Sequence, residues 1–90
     1  MFGLTSQMRR AAVSIPANLA EGCYRDTKRW QAQSVRIALG SAAELEYYAL
    51  LAADLKVLPA AVSADFRREI EDVKRVVSGF LKAVDETVEP

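Results

Sequence analysis

The chain has no histidine and a single cysteine, Cys23. Without histidine it lacks the side chain that most often moves protons near neutral pH. A lone cysteine forms no internal disulfide, so nothing calls for an oxidising compartment. Glycine (4) and proline (3) are scarce, which excludes a loop-rich or low-complexity chain. No glycine-rich loop is present to cradle a phosphate, and no spacing suits a metal, since zinc asks for Cys or His and hard cations ask for converging oxygens. No run reaches the roughly 18 apolar residues of a membrane span. The opening MFGLTSQMRR lacks the apolar core of a signal peptide. An excess of one charge is missing too. Twelve Lys and Arg meet twelve Asp and Glu, so no global field favours nucleic acid or acidic membranes. These absences lead us to expect no catalytic residue, no metal, no cofactor and no membrane, in a cytoplasmic protein that is not an enzyme.

What remains is ordinary for a folded chain: 51% hydrophobic and 27% charged residues over 90 positions. That length makes one domain, residues 1–90, with a thin core that gains from packing on another copy of itself. Leu4, Met8, Ala11, Ile15 and Leu19 recur at steps of three and four, the stripe of an amphipathic helix. Pro16 stands inside this stripe without resetting its phase. We read one kinked helix over about 5–21, Gly22 being its C-cap, with Pro16 denied a bond to the carbonyl of Ala12. A separate helix capped by Ser14, with Pro16 in its first turn, is the alternative. Asp26 or Thr27 caps a second helix over about 28–56. It is apolar on one side through Val35, Ala38, Leu39, Ala42 and Leu45, and on another through Ile37, Tyr48, Leu51 and Leu55. After the turn broken by Pro59, Ser63 caps a third helix over about 64–86. Its stripe Phe66, Ile70, Val73, Val77, Phe80 and Val84 alternates four and three. The fold class is therefore all-α, an antiparallel up-down bundle of three helices.

In a hairpin folded near Tyr24, Ala11 and Ala12 face Gly40, Ser41, Ala42 and Ala43, small residues that let two backbones close up. Glu44 and Glu46 are two apart on a helix, so they point to different faces and make no catalytic dyad. Cys23 has Arg25 nearby but no histidine partner, and we expect it to be unreactive. Arg25, Lys28, Arg29 and Arg36 gather at the start of the second helix, where cations oppose the helix dipole, and only Asp26 offsets them. Arg9 and Arg10 extend the cluster or pair with Glu44 or with carboxylates of the last helix. The cluster is either a solvated face or a contact for a partner such as a phosphate backbone. A middle helix apolar on two sides, with two partner helices in the chain, predicts self-association.

Two blocks, LTSQMRRAAVSIPANLAEG and IALGSAAELEYYALLAADLKVL, carry a resemblance. At this separation they resemble the bacterial four-helix-bundle family of 23S rRNA intervening-sequence proteins, over roughly residues 4–58. The resemblance implies antiparallel helical bundles that assemble as ring-shaped homopentamers. It also implies a helix ahead of the LTSQ block. Met1 almost abuts that block here, so three helices are expected in this chain, and either the protein begins upstream of Met1 or it makes do with three. A relative, the accessory variability determinant of diversity-generating retroelements, is a basic pentamer that binds nucleic acid and a reverse transcriptase. This chain is neutral by comparison. Carried over as fold and assembly residues are Ser14, Pro16, Asn18, Glu21, Gly22, Gly40, Glu44 and Glu46. Arg9, Arg10, Arg25, Lys28, Arg29 and Arg36 are the candidate contacts to a partner or nucleic acid. The implied role is a self-assembling scaffold or docking module, with a nucleic-acid-binding accessory ring as the alternative.

Overall fold

The computed structural model describes residues 2–87. Three helices follow one another: α1 (Phe2–Cys23), α2 (Lys28–Asp54) and α3 (Ala60–Asp85). The molecule is elongated, 47 × 22 × 17 Å. Both outer helices pack along α2, and no described Cα of α1 comes within 8 Å of one in α3. The central helix therefore holds the fold together.

α1 runs unbroken through Pro16, as the uninterrupted stripe requires. Pro16 and Ala12 lie on its exposed side, where water can serve the carbonyl that proline leaves unpaired. The helix is longer than expected at both ends, and Gly22 is not its cap. No glycine has a positive φ. Gly22 is instead a buried interior residue, and a Cβ there would stand 3.2 Å from Cβ of Ser34. Its lack of a side chain lets α1 and α2 close together beside their turn.

Thr27 caps α2 in extended conformation, its side chain accepting from the amide of Trp30 at 3.2 Å. The helix stops at Asp54, two residues before the expected end. Lys56 takes a left-handed φ of 60°. The amides of Lys56 and Val57 return to the carbonyls of Ala53 (3.0 Å) and Ala52 (2.8 Å), so that a lysine fills the place usually given to glycine in this C-terminal motif. α3 starts earlier than expected, at Ala60 behind Pro59, and has no side-chain cap. Ser63 is not that cap. It is wholly buried in the first turn and its hydroxyl donates to the carbonyl of Ala49 at 2.8 Å, tying α3 to α2.

The core is thin and built of small residues. Ala11, Ala42, Leu45 and Ile70 form its centre, with Met8, Ile15, Tyr48 and Phe66 packed against them. The small-residue seam is real but differs in membership. Ala11, Ser41 and Ala42 are buried in it, whereas Ala12, Gly40 and Ala43 are exposed. A Cβ at Gly40 would meet nothing within 4 Å. The phase of α2 explains this: its inward arc passes through Ala38, Ser41, Ala42 and Leu45, and Gly40 lies on the far side.

Candidate functional site

The residues carried over as structural fall into two sets. One set binds helices together. The hydroxyls of Ser14 and Ser41 share a hydrogen bond of 2.7 Å. Asn18 donates from Nδ2 to the Ser14 carbonyl (2.8 Å) and hydroxyl (2.9 Å). This node sits half-buried between α1 and α2, bridging the turn that contains Pro16, and satisfies polar groups that would otherwise be costly there. Glu46 faces α3 and accepts from Nζ of Lys74 at 2.9 Å; the same ammonium reaches Glu71 at 3.2 Å. The neighbouring Glu46, together with the hydrogen bond from Lys74 and its charge, holds the Glu71 carboxyl below its ordinary 4.5. The hydrogen bonds to Glu46 and Glu71 push Lys74 above its ordinary 10.5.

The second set faces outward. Gly40 and Glu44 are exposed on α2, and Glu44 has no partner among the described residues. They belong to a run of α2 residues turned away from the other helices: Gln33, Ile37, Gly40, Glu44 and Tyr47. All five are exposed, at steps of four and three. Ile37 is 46% and Tyr47 60% exposed.

The cations are less concentrated than the composition suggests. Arg25 pairs with Glu21 one turn back on α1, and its guanidinium lies 5.7 Å from the Trp30 ring centroid. Arg36 reaches the Asp85 carboxylate through Nη2 at 2.8 and 3.0 Å, joining the start of α2 to the end of α3. Glu21 and Asp85 thus join Asp26 in offsetting the cluster. Arg29 also interacts within the chain. Lys28 stands in the exposed first turn of α2, beside exposed Tyr24 and Trp30. Arg9 and Arg10 are exposed on α1, and neither pairs with Glu44 or with α3.

The sequence did not point to the hollow between α1 and α3. Because the two helices splay from α2, an apolar groove opens between them on the side away from the Gln33–Tyr47 run. Near one end Leu4, Met8, Arg9 and Phe66 line a hollow of about 400 Å³ floored by Leu45 and Ala52. Nearer the other, Leu19, Cys23, Val76, Val77 and Phe80 line one of about 270 Å³. Cys23 is exposed at its edge, with Sγ 3.5 Å from the Leu19 carbonyl. The α3 stripe was the available signal. Its members Ile70, Val77 and Val84 are buried, while Val73 and Phe80 remain 40% and 50% exposed.

Among the described residues no three acidic, Cys or His side chains gather as a metal site, and no helix is long and apolar enough to cross a membrane. The arrangement defines a small all-α bundle, hinged on one central helix, with apolar surface open on two sides. A family model described as 23S rRNA-intervening sequence protein matches residues 1–79, and the chain belongs to that family. No curated protein and no solved structure matches it.

Proposed function

We propose that the protein is a non-enzymatic, self-assembling module of the cytoplasm, a ring of identical copies that serves as a scaffold for a protein partner. The observation that carries this reading is apolar exposure on two sides: Ile37, Tyr47 and Leu50 on α2, and Val73, Val76 and Phe80 on α3 are each 40% exposed or more. A soluble monomer rarely leaves so much apolar surface in water, and association of copies is the simplest way to cover it. The number five comes from the family resemblance. Light scattering coupled to size exclusion at micromolar concentration tests the reading. A mass of several chains is expected; a mass near the 9.9 kDa of one chain would refute it, and a dimer would refute fivefold symmetry alone.

A second reading, a nucleic-acid-binding ring, is favoured by the α1–α2 tip, where Tyr24 (88% exposed) and Trp30 (56%) stand among Arg25, Lys28 and Arg29. Exposed aromatics between cations can stack on unpaired bases. Binding of mixed RNA or DNA that weakens steeply with salt would support it, and no binding at low salt would exclude it.

A further inference from the structure

The turn between α1 and α2 carries side chains whose exposure folding does not explain. Tyr24 is 88% and Trp30 56% exposed. Lys28 and Arg29 stand in the first turn of α2, which holds no acidic residue, and a cation there opposes the helix dipole. Lys28 has no partner among the described residues. The turn itself is firmly held. The amides of Tyr24 and Arg25 donate to the carbonyls of Glu21 (3.0 Å) and Gly22 (3.2 Å). Nε2 of Gln31 donates to the Arg25 carbonyl at 3.3 Å, and Thr27 caps α2 through the Trp30 amide. Glu21 pairs with Arg25, which lies over the Trp30 ring. Aromatic and cationic side chains are thus mounted on fixed backbone, where binding a ligand would demand little further ordering.

We propose that this tip binds an unpaired nucleic-acid strand, RNA or DNA, with bases stacked on Tyr24 and Trp30 and phosphates held by Arg25, Lys28 and Arg29. This rests on the second reading above, names its ligand class, and does not depend on how many copies assemble. An aromatic ring stacks only on a base whose face is open. Inside a duplex each base face is covered by its neighbour, so both rings would be idle against it. Duplex affinity must then come from many phosphate contacts. This tip has few to offer, because Glu21 and Asp26 stand among its three cations. Arg36 is engaged with Asp85 and lies outside the site.

An anionic lipid surface also attracts aromatics and cations together. It fits this tip less well. Between residues 21 and 36 no Leu, Ile, Val, Met or Phe is exposed, so nothing aliphatic is available to enter the acyl chains. Glu21 and Asp26 would in addition face anionic headgroups. Against a single strand the same two carboxylates matter less, because stacking carries part of the affinity and needs no charge. The tip offers ring faces and ammonium or guanidinium groups rather than an ordered row of donors to base edges. Weak sequence preference follows, and binding of RNA and DNA alike.

Trp30 is the single tryptophan of the chain, so its fluorescence reports on the site directly. Oligouridylate and oligodeoxythymidylate should quench it on binding, and a blunt duplex of the same length should bind about tenfold more weakly or worse. A tenfold rise in salt should weaken strand binding about a hundredfold, the slope of roughly three phosphate contacts. Tyr24→Ala and Trp30→Ala replace exposed side chains and should keep their far-UV circular dichroism. Each should weaken binding of a labelled strand, followed by anisotropy, about fivefold or more, and Trp30→Phe should recover most of the loss. Lys28→Gln relieves the helix dipole, so it should keep or raise Tm while weakening strand binding. Arg68→Gln, the same loss of charge near the start of α3, should leave binding unchanged. Neither strand nor duplex bound at low salt would overturn both this proposal and the nucleic-acid reading. Four results would overturn the proposal and leave that reading standing. These are a duplex bound as tightly as a strand, binding with Trp30 emission unchanged, aromatic variants that bind like the wild type, or Arg68→Gln as damaging as Lys28→Gln. Blue-shifted emission on phosphatidylglycerol vesicles, with no strand bound, would overturn both in favour of a lipid surface.

Discussion

Gly40→Ala separates what the chain needs to fold from what it needs to assemble. Gly40 lies well inside α2, and a Cβ at this position meets nothing within 4 Å. In a single chain the substitution restricts the unfolded backbone and raises helix propensity without a clash, stabilising the fold by about 1 kcal/mol. For a domain of this size that corresponds to roughly 4–8 °C in Tm. Gly79→Ala is the control. It too has open space at Cβ and an interior position in α3, and it lines neither hollow. Gly22→Ala should lack the gain, because its Cβ would press within 3.2 Å of Ser34 and move α1 off α2. The assay is unfolding by heat and by urea, followed by far-UV circular dichroism over a range of protein concentrations. In dilute solution Gly40→Ala and Gly79→Ala should gain together. As concentration rises and assembly adds stability, Gly40→Ala should fall behind, because its methyl holds the neighbouring backbone away. A loss of stability for dilute Gly40→Ala would refute the open-surface placement of this residue. Identical behaviour of the two variants at every concentration would refute the close approach.

Ile70→Ala removes a side chain 4% exposed at the centre of a small core and should cost about 2–4 kcal/mol, read from the urea midpoint at unchanged slope. A loss under about 1 kcal/mol would mean that the splayed helices simply close the space. Thr27→Ala removes the only side-chain oxygen that accepts from the first turn of α2 among the described residues, and about 1 kcal/mol with it, measured the same way. The Glu71 carboxyl is held below its ordinary 4.5, so its contribution is present above that pH and is lost as pH falls through its lowered folded value. Lys74, raised above 10.5, contributes fully below that pH and loses its contribution as pH rises through its raised folded value. Glu71→Gln should therefore flatten the acid side of a stability-against-pH curve. An acid side as steep as that of the wild type would show that other carboxylates govern it.

Helix number, type and order could be read from the sequence because each helix carries a long stripe at helical spacing, and Pro59 and the Thr27 region punctuate them. The continuity of α1 through Pro16 was legible for the same reason, since Ile15 and Leu19 keep the phase. Ends were less legible. Gly22 and Ser63 are residue types that favour caps, and at both positions packing against α2 decided instead: Gly22 for closeness to Ser34, Ser63 for the Ala49 carbonyl. Lys56 ended α2 in a conformation its residue type does not announce. Gly40 was misplaced because small residues at 40–43 look alike in sequence, and only the phase of α2 decides which of them face α1. The pairing of Arg36 with Asp85 spans 49 positions and had no local signal.

The α3 stripe shows why the open surface is a property of the fold. A four-three stripe normally forms one seam, buried by one partner. Here its two rows diverge. Ile70, Val77 and Val84 repeat every seven residues and are buried against α2. Phe66, Val73 and Phe80 repeat every seven on the neighbouring line, half-buried or exposed along the groove. A helix can present both rows only if two bodies cover it, one on each side. α2 is one of them. α1 cannot be the other, because its contacts with α2 hold its backbone more than 8 Å from α3 throughout the described residues. Moving α1 inward to cover Val73 and Phe80 would cost the Ser14–Ser41 bond and the Gly22–Ser34 contact that set its place. The alanine- and serine-rich side of α2 thus fixes α1 and α3 on two separate lines, and the space between them is filled by a helix from outside this arrangement or by water.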